Sequence, residues 1–156
     1  MRFCLLPLIA VFAAVATLAC ACPCHDEKDP VKVTLVLILA SEEGNTIDPR
    51  LKAIAAEVQK MDPKLKSFTL KTMQSKSIKP GERVSLPLVE SKTLDMQIKH
   101  GANKDNRVSL SIFVPNMGEI EYQTVCGKFL PIVTRCKTKE GERIILAIRV
   151  QPCRGE

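Results

Sequence analysis

Tryptophan is absent, tyrosine occurs once, histidine twice, and no glycine-rich run is present. Each shortage excludes something. Of the five Phe and one Tyr, Phe3 and Phe12 fall in an apolar leader, so a core must be built mainly from Val, Ile and Leu. Single-stranded nucleic acid is held on aromatic stacking platforms beside basic grooves. Neither such platforms nor an RNP-type motif is found, so nucleic acid is not an expected partner. Gly44 is isolated, and "EEGNT" around it would present acidic side chains to a phosphate, the opposite of an anion cradle. Ser67, Ser75, Ser77, Ser85, Ser91, Ser109 and Ser111 lie in strand-like alternation, with no nucleophile elbow around any of them. A thiol nucleophile at Cys126 or Cys136 would need a base, and the sequence identifies none. His100 precedes a turn and reads as a solvated side chain. No catalytic residue is assigned, and the expectation is a protein that is not an enzyme and carries no cofactor.

What is present begins with an address. Met1-Arg2 supplies a short positive end, "FCLLPLIAVFAAVATLA" an uncharged run, and "ACA" at 19–21 small residues for a signal peptidase. This is the tripartite form of an export signal over residues 1–21. The apolar run is near the lower limit for spanning a bilayer, about 17–25 residues, and Pro7 interrupts it. Cleavage after Ala21 would leave a soluble chain starting at Cys22. Alternatively "TLAC" resembles a bacterial lipobox, with Cys20 the lipidated residue, although Thr17 stands where an aliphatic residue is usual; "ACAC" offers Cys22 instead. A lipidated cysteine would tether the domain to a membrane. The expected location is the periplasm or cell envelope, membrane-anchored if Cys20 or Cys22 carries lipid.

Composition is otherwise that of a folded domain, 46% hydrophobic and 26% charged. Loss of Arg2 with the leader lowers Lys+Arg from 23 to 22 against 17 Asp+Glu. The excess lies toward the C-terminal end, where "KFLPIVTRCKTK" carries no acidic residue. Lys-rich solvated strand faces account for it, and an anionic envelope surface is a further expected partner.

Residues 22–30 are polar and end in Asp29-Pro30, a short tether. Residues 31–156 then form one domain. "VKVTLVLILA" alternates and then turns continuously apolar, as a strand buried on both faces does. "IDPRLKAIAAEVQKM" carries a helix: Asp48 as N-cap, Pro49 at the first position, and Leu51, Ile54, Ala55 and Val58 on one apolar face. It stops before Asp62-Pro63. Every later segment reads as a strand, from "KSFTLKTM" to "RIILAIRV", with turns at Pro80-Gly81, "GANKDN", "PNMG" and "KTKEGE". The fold class is α+β: one helix packed on a mainly antiparallel β-sheet or small sandwich of about seven to eight strands.

The chemistry-bearing stretch is "CACPCHDE" at 20–27. Cys20-x3-Cys24-His25 departs from the haem-attachment spacing of two residues between cysteines. Cys22, Cys24 and His25 offer two sulfurs and an imidazole, a set suited to copper or zinc. A C-x-C pair alone does not complete a tetrahedral site, so Cys126, Cys136 or Cys153 would have to contribute. Disulfides persist outside the cytoplasm. A four-residue loop at 138–141 sets Cys126 opposite Cys153 in the last hairpin; a tighter turn at Glu140-Gly141 moves them two residues apart. A Cys126–Cys153 bond would contribute about 3 kcal/mol.

The segments "VLILASEEGNTIDPRLKAIAAEVQK" and "CGKFLPIVTRCKTKEGERIILAIRV" together resemble a group of small exported bacterial proteins with no established activity. In that group a strand and a "DPRL"-type helix precede β-hairpins. The resemblance implies the same architecture over roughly residues 31–150 and carries no site residue across. The functional expectation is a non-enzymatic envelope protein with an interaction or structural role. The alternative is thiol-redox or copper/zinc handling through Cys22, Cys24 and His25 with the C-terminal cysteines.

Overall fold

The computed structural model describes residues 28–152. The expected leader, Cys20, Cys22, Cys24, His25 and Cys153 lie outside them. The described chain is mostly strand: β1 (Val31–Ser41), a 3-10 turn (Pro49–Leu51) running into α1 (Lys52–Met61), then β2 (Ser67–Ile78), β3 (Arg83–Pro87), β4 (Thr93–His100), β5 (Arg107–Val114), β6 (Gly118–Val125), β7 (Phe129–Lys137) and β8 (Arg143–Pro152). The class is α+β as expected, but the strands divide into two antiparallel sheets of four. Their orders are β2-β1-β8-β7 and β3-β4-β5-β6.

The doubly apolar reading of the first strand explains its place. β1 lies between β2 and β8, at the centre of the first sheet. Val33, Leu35 and Leu37 point into a core shared with the second sheet, while Val36, Ile38 and Ala40 point to the helix. β8 behaves alike: Ile144, Leu146, Ile148 and Val150 join the inter-sheet core, and Ile145 and Ala147 the helix-side core. Each such Val, Leu or Ile side chain adds about 1.5–3 kcal/mol when fully buried. The core is aliphatic because the sequence has little else; Phe68 is the one aromatic among its largest fully buried side chains.

The helix is built as its spacing predicts. Asp48 caps the 3-10 turn by accepting from the Arg50 amide at 3.0 Å. Leu51, Ile54, Ala55 and Val58 are buried against Phe68, Ile145 and Ala147. The Asp62 carboxylate accepts from the Arg143 guanidinium at 3.2 Å, tying the helix end to β8. Before it, Gly44 has a positive φ of +76°, and a Cβ there would lie 2.8 Å from the Ser67 hydroxyl, so this connection requires glycine.

Three features depart from the sequence reading. β2 runs unbroken from Ser67 to Ile78, and the Pro80-Gly81 turn then passes the chain from the first sheet to the second. It is a corner between layers, fixed by the Gly81 amide donating to the Ile98 carbonyl at 2.7 Å. Second, the meander covers only β3 to β6; β7 and β8 return to the first sheet, where β8 pairs with β1. Third, the last loop is neither of the two expected. The Thr138 amide donates to the Glu142 carbonyl and Gly141 takes φ +88°, which leaves a three-residue loop. A four-residue loop would set Val133 opposite Leu146. Instead Val133 faces Ile145 and Phe129 faces Arg149, with a bulge between Val133 and Lys137.

Candidate functional site

The two sheets differ in what covers their outer faces. On the first sheet α1 buries much of that surface, whereas among the described residues no helix covers the outer face of β3 to β6. Strand register builds two ranks of side chains across it, because directly opposed residues of antiparallel strands share a face. One rank is Ser85, Asp95, Phe113 and Glu119; the next is Arg83, Gln97, Ser111 and Glu121. Inward-facing Val84, Met96 and Ile112 alternate with them and hold the strands on the core. Alternation at Glu119 and Glu121, with Ile120 between, places both carboxylates on this face.

Arg83, Asp95, Gln97, Ser111, Phe113 and Glu119 line a concavity of about 280 Å³. Its polar groups are fixed. The Ser85 hydroxyl donates to Asp95 at 2.5 Å, the Gln97 side-chain amide donates to the Gly81 carbonyl at 3.0 Å, and the Ser111 hydroxyl donates to Glu119. Ser111 is almost fully buried. The Ser111 hydrogen bond holds the Glu119 carboxyl below the usual carboxylate range; partial desolvation opposes it, and the Lys99 and Arg83 charges assist. Phe113, a large apolar ring, is 50% exposed between the two carboxylates. Beside it, Lys99, His100, Ser109, Glu121, Tyr122 and Gln123 border a second concavity of about 320 Å³. His100 lies on this face opposite Ser109 and is exposed.

Of the sequence-predicted cysteines, Cys126 and Cys136 are among the described residues, and both lie elsewhere. Cys126 sits between β6 and β7, its amide bonded to the Asn106 carbonyl at 2.8 Å, while the Gly127 amide bonds Val150 of β8 at 2.7 Å. Burial pushes the Cys126 thiol up, which makes it a poorer nucleophile and a poorer metal ligand. Cys136 is buried in the inter-sheet core with its thiol 3.3 Å from the Pro115 carbonyl. Among the described residues neither forms a disulfide, and no group of three His, Cys, Asp or Glu is placed to hold a metal. No helix among them is long and apolar enough to cross a membrane.

Sequence reasoning missed Arg83, Asp95, Ser111 and Phe113. Period-two alternation was the available signal, but it cannot show that β4 and β6 flank β5 or that β3 lies beside β4. Comparison with protein families, with curated proteins and with solved structures finds no match.

Proposed function

We propose that this chain is an exported, non-enzymatic envelope protein that acts by binding, with the bare outer face of β3 to β6 as its contact surface. One observation carries this reading. An exposed Phe113 stands among fixed polar and charged side chains on a sheet face left uncovered, while the helix covers the other sheet. Exposed aromatics rimmed by fixed hydrogen-bonding groups are a usual composition of binding surfaces. The N-terminal export signal supplies the address, and lipidation of Cys20, with cleavage after Ala19 rather than Ala21, supplies an anchor to the membrane. Intact-mass measurement of the native protein, combined with fractionation, tests export and anchoring. A processed chain beginning at a lipidated Cys20 in the membrane fraction is the expected result. An unprocessed chain beginning at Met1 in the cytosol would remove this reading.

A second reading keeps the thiol chemistry, and one observation favours it. Val31 pairs with Pro152, and Gly127 bonds Val150, so the tether, Cys126 and the C-terminal residues connect to the same end of the first sheet. Cys22, Cys24 and His25 with Cys126 and Cys153 would then bind copper or zinc, or form disulfides. Metal analysis of protein purified under reducing conditions decides the first option: the absence of stoichiometric copper or zinc would eliminate it. The cross-linked peptide in a non-reduced digest decides the second.

A further inference from the structure

We infer that the outer face of β3 to β6 binds a neutral polysaccharide chain, with Phe113 as the platform for one sugar ring. This rests on the reading of that face as the binding surface and names what it binds. Three properties of the face lead to it.

The first is charge balance. Across the outer face of β3 to β6, Arg83, Lys99 and Arg107 stand against Asp95, Glu119 and Glu121, so the face carries charges of both signs in equal number. A polyanion would meet three carboxylates, and a polycation would meet three cations. A ligand rich in uncharged hydroxyls meets neither penalty, because each hydroxyl can donate to a carboxylate and accept from a guanidinium or amide. Hydrogen bonds to charged partners are roughly twice as strong as neutral ones.

The second is fixed geometry. Asp95 is held by Ser85, Gln97 by Gly81 and Glu119 by Ser111. Side chains already ordered lose little entropy when a ligand binds, which matters for a solvated ligand whose hydroxyls exchange water for protein partners. The exposed Phe113 ring lies in the rank between Asp95 and Glu119. There it offers an apolar face to the C–H side of a pyranose while the flanking carboxylates reach the hydroxyl rim.

The third is repetition. The second concavity is lined by Ser109 and Glu121, each two residues along its strand from Ser111 and Glu119. Two residues of strand advance about 7 Å, a step on the scale of one sugar ring. Two neighbouring polar concavities on one sheet face suit consecutive units of a chain better than a single small molecule.

The test uses the purified chain and two soluble probes, a β-linked glucose hexasaccharide and a β-linked N-acetylglucosamine hexasaccharide, followed by titration calorimetry. Binding of at least one is expected, unchanged between about 0.05 and 0.5 M NaCl because the ligand is neutral. Phe113→Ala should weaken it about tenfold or more, and Phe113→Trp should retain it. Lys32→Ala, on the opposite sheet, should leave it unchanged. Circular dichroism of each variant checks folding. Failure of folded wild type to bind either probe at millimolar concentration overturns the inference, as does binding that Phe113→Ala leaves intact. Binding instead to phosphatidylglycerol vesicles, abolished by salt, would also overturn it in favour of an anionic surface. None of these outcomes depends on export, so mass measurement and fractionation test the envelope reading separately.

Discussion

The outer faces of the two sheets are made from the same alternation of side chains and have opposite fates. On the first sheet, β1 and β8 place Val36, Ile38, Ile145 and Ala147 outward, and α1 covers them. On the second sheet, β4, β5 and β6 place Asp95, Ser111, Phe113 and Glu119 outward, and no helix among the described residues covers them. A covered face contributes stability and little recognition; a bare one can recognise at small cost to stability. The difference lies in the outward residues alone, since the inward ones of both sheets are equally aliphatic.

Substitutions should separate the two faces sharply. Ile54→Asp would put an unpaired charge under the helix, at a cost of about 4 kcal/mol or more, whereas Phe113→Thr, a neutral strand former, should stay within about 0.5 kcal/mol. Chemical denaturation measures both, and equal losses would break the comparison. Leu146→Ala removes a fully buried side chain from the core between the sheets and should cost about 3 kcal/mol. That value should match neither face, because this core supports both.

A smaller effect belongs to the helix side. Arg50 hydrogen-bonds the Asp48 carboxyl and holds its pKa at about 2, below the ordinary 3.8. A depressed carboxylate contributes stability that is present above about pH 3.8 and is lost as pH falls through about 2. Asp48→Asn lacks that dependence, so the stability gap between wild type and variant should narrow over this window in acid titrations. The smallest change is expected for Phe113→Ala, within about 0.5 kcal/mol, since the ring is half exposed. A large loss there would mean that the ring supports the fold.

Much of the fold was legible. Asp48, Pro49 and the Leu51, Ile54, Ala55, Val58 spacing located the helix, and the unbroken apolar run of β1 signalled burial on two sides. The two-sheet division was not legible, because Pro80-Gly81 looks the same as a hairpin turn and as a corner between layers. The register of the last hairpin also escaped, since the left-handed Gly141 and the bulge after Val133 each alter pairing. The candidate surface was half visible: the alternation of Glu119, Ile120 and Glu121 can be read along the chain, but their neighbours on that face, such as Gln97 and Arg83, come from strands distant in the chain.

The sequence by itself determined which positions are apolar, where the one helix starts and stops, and which strand must be central. Those are local properties of spacing, capping and β-branching. Only the tertiary structure decided that β8 closes beside β1, that the helix covers one sheet and leaves the other bare, and that Phe113 stands between Asp95 and Glu119. Strand order and register are set by packing between segments far apart in the chain, and no local pattern encodes that partnership.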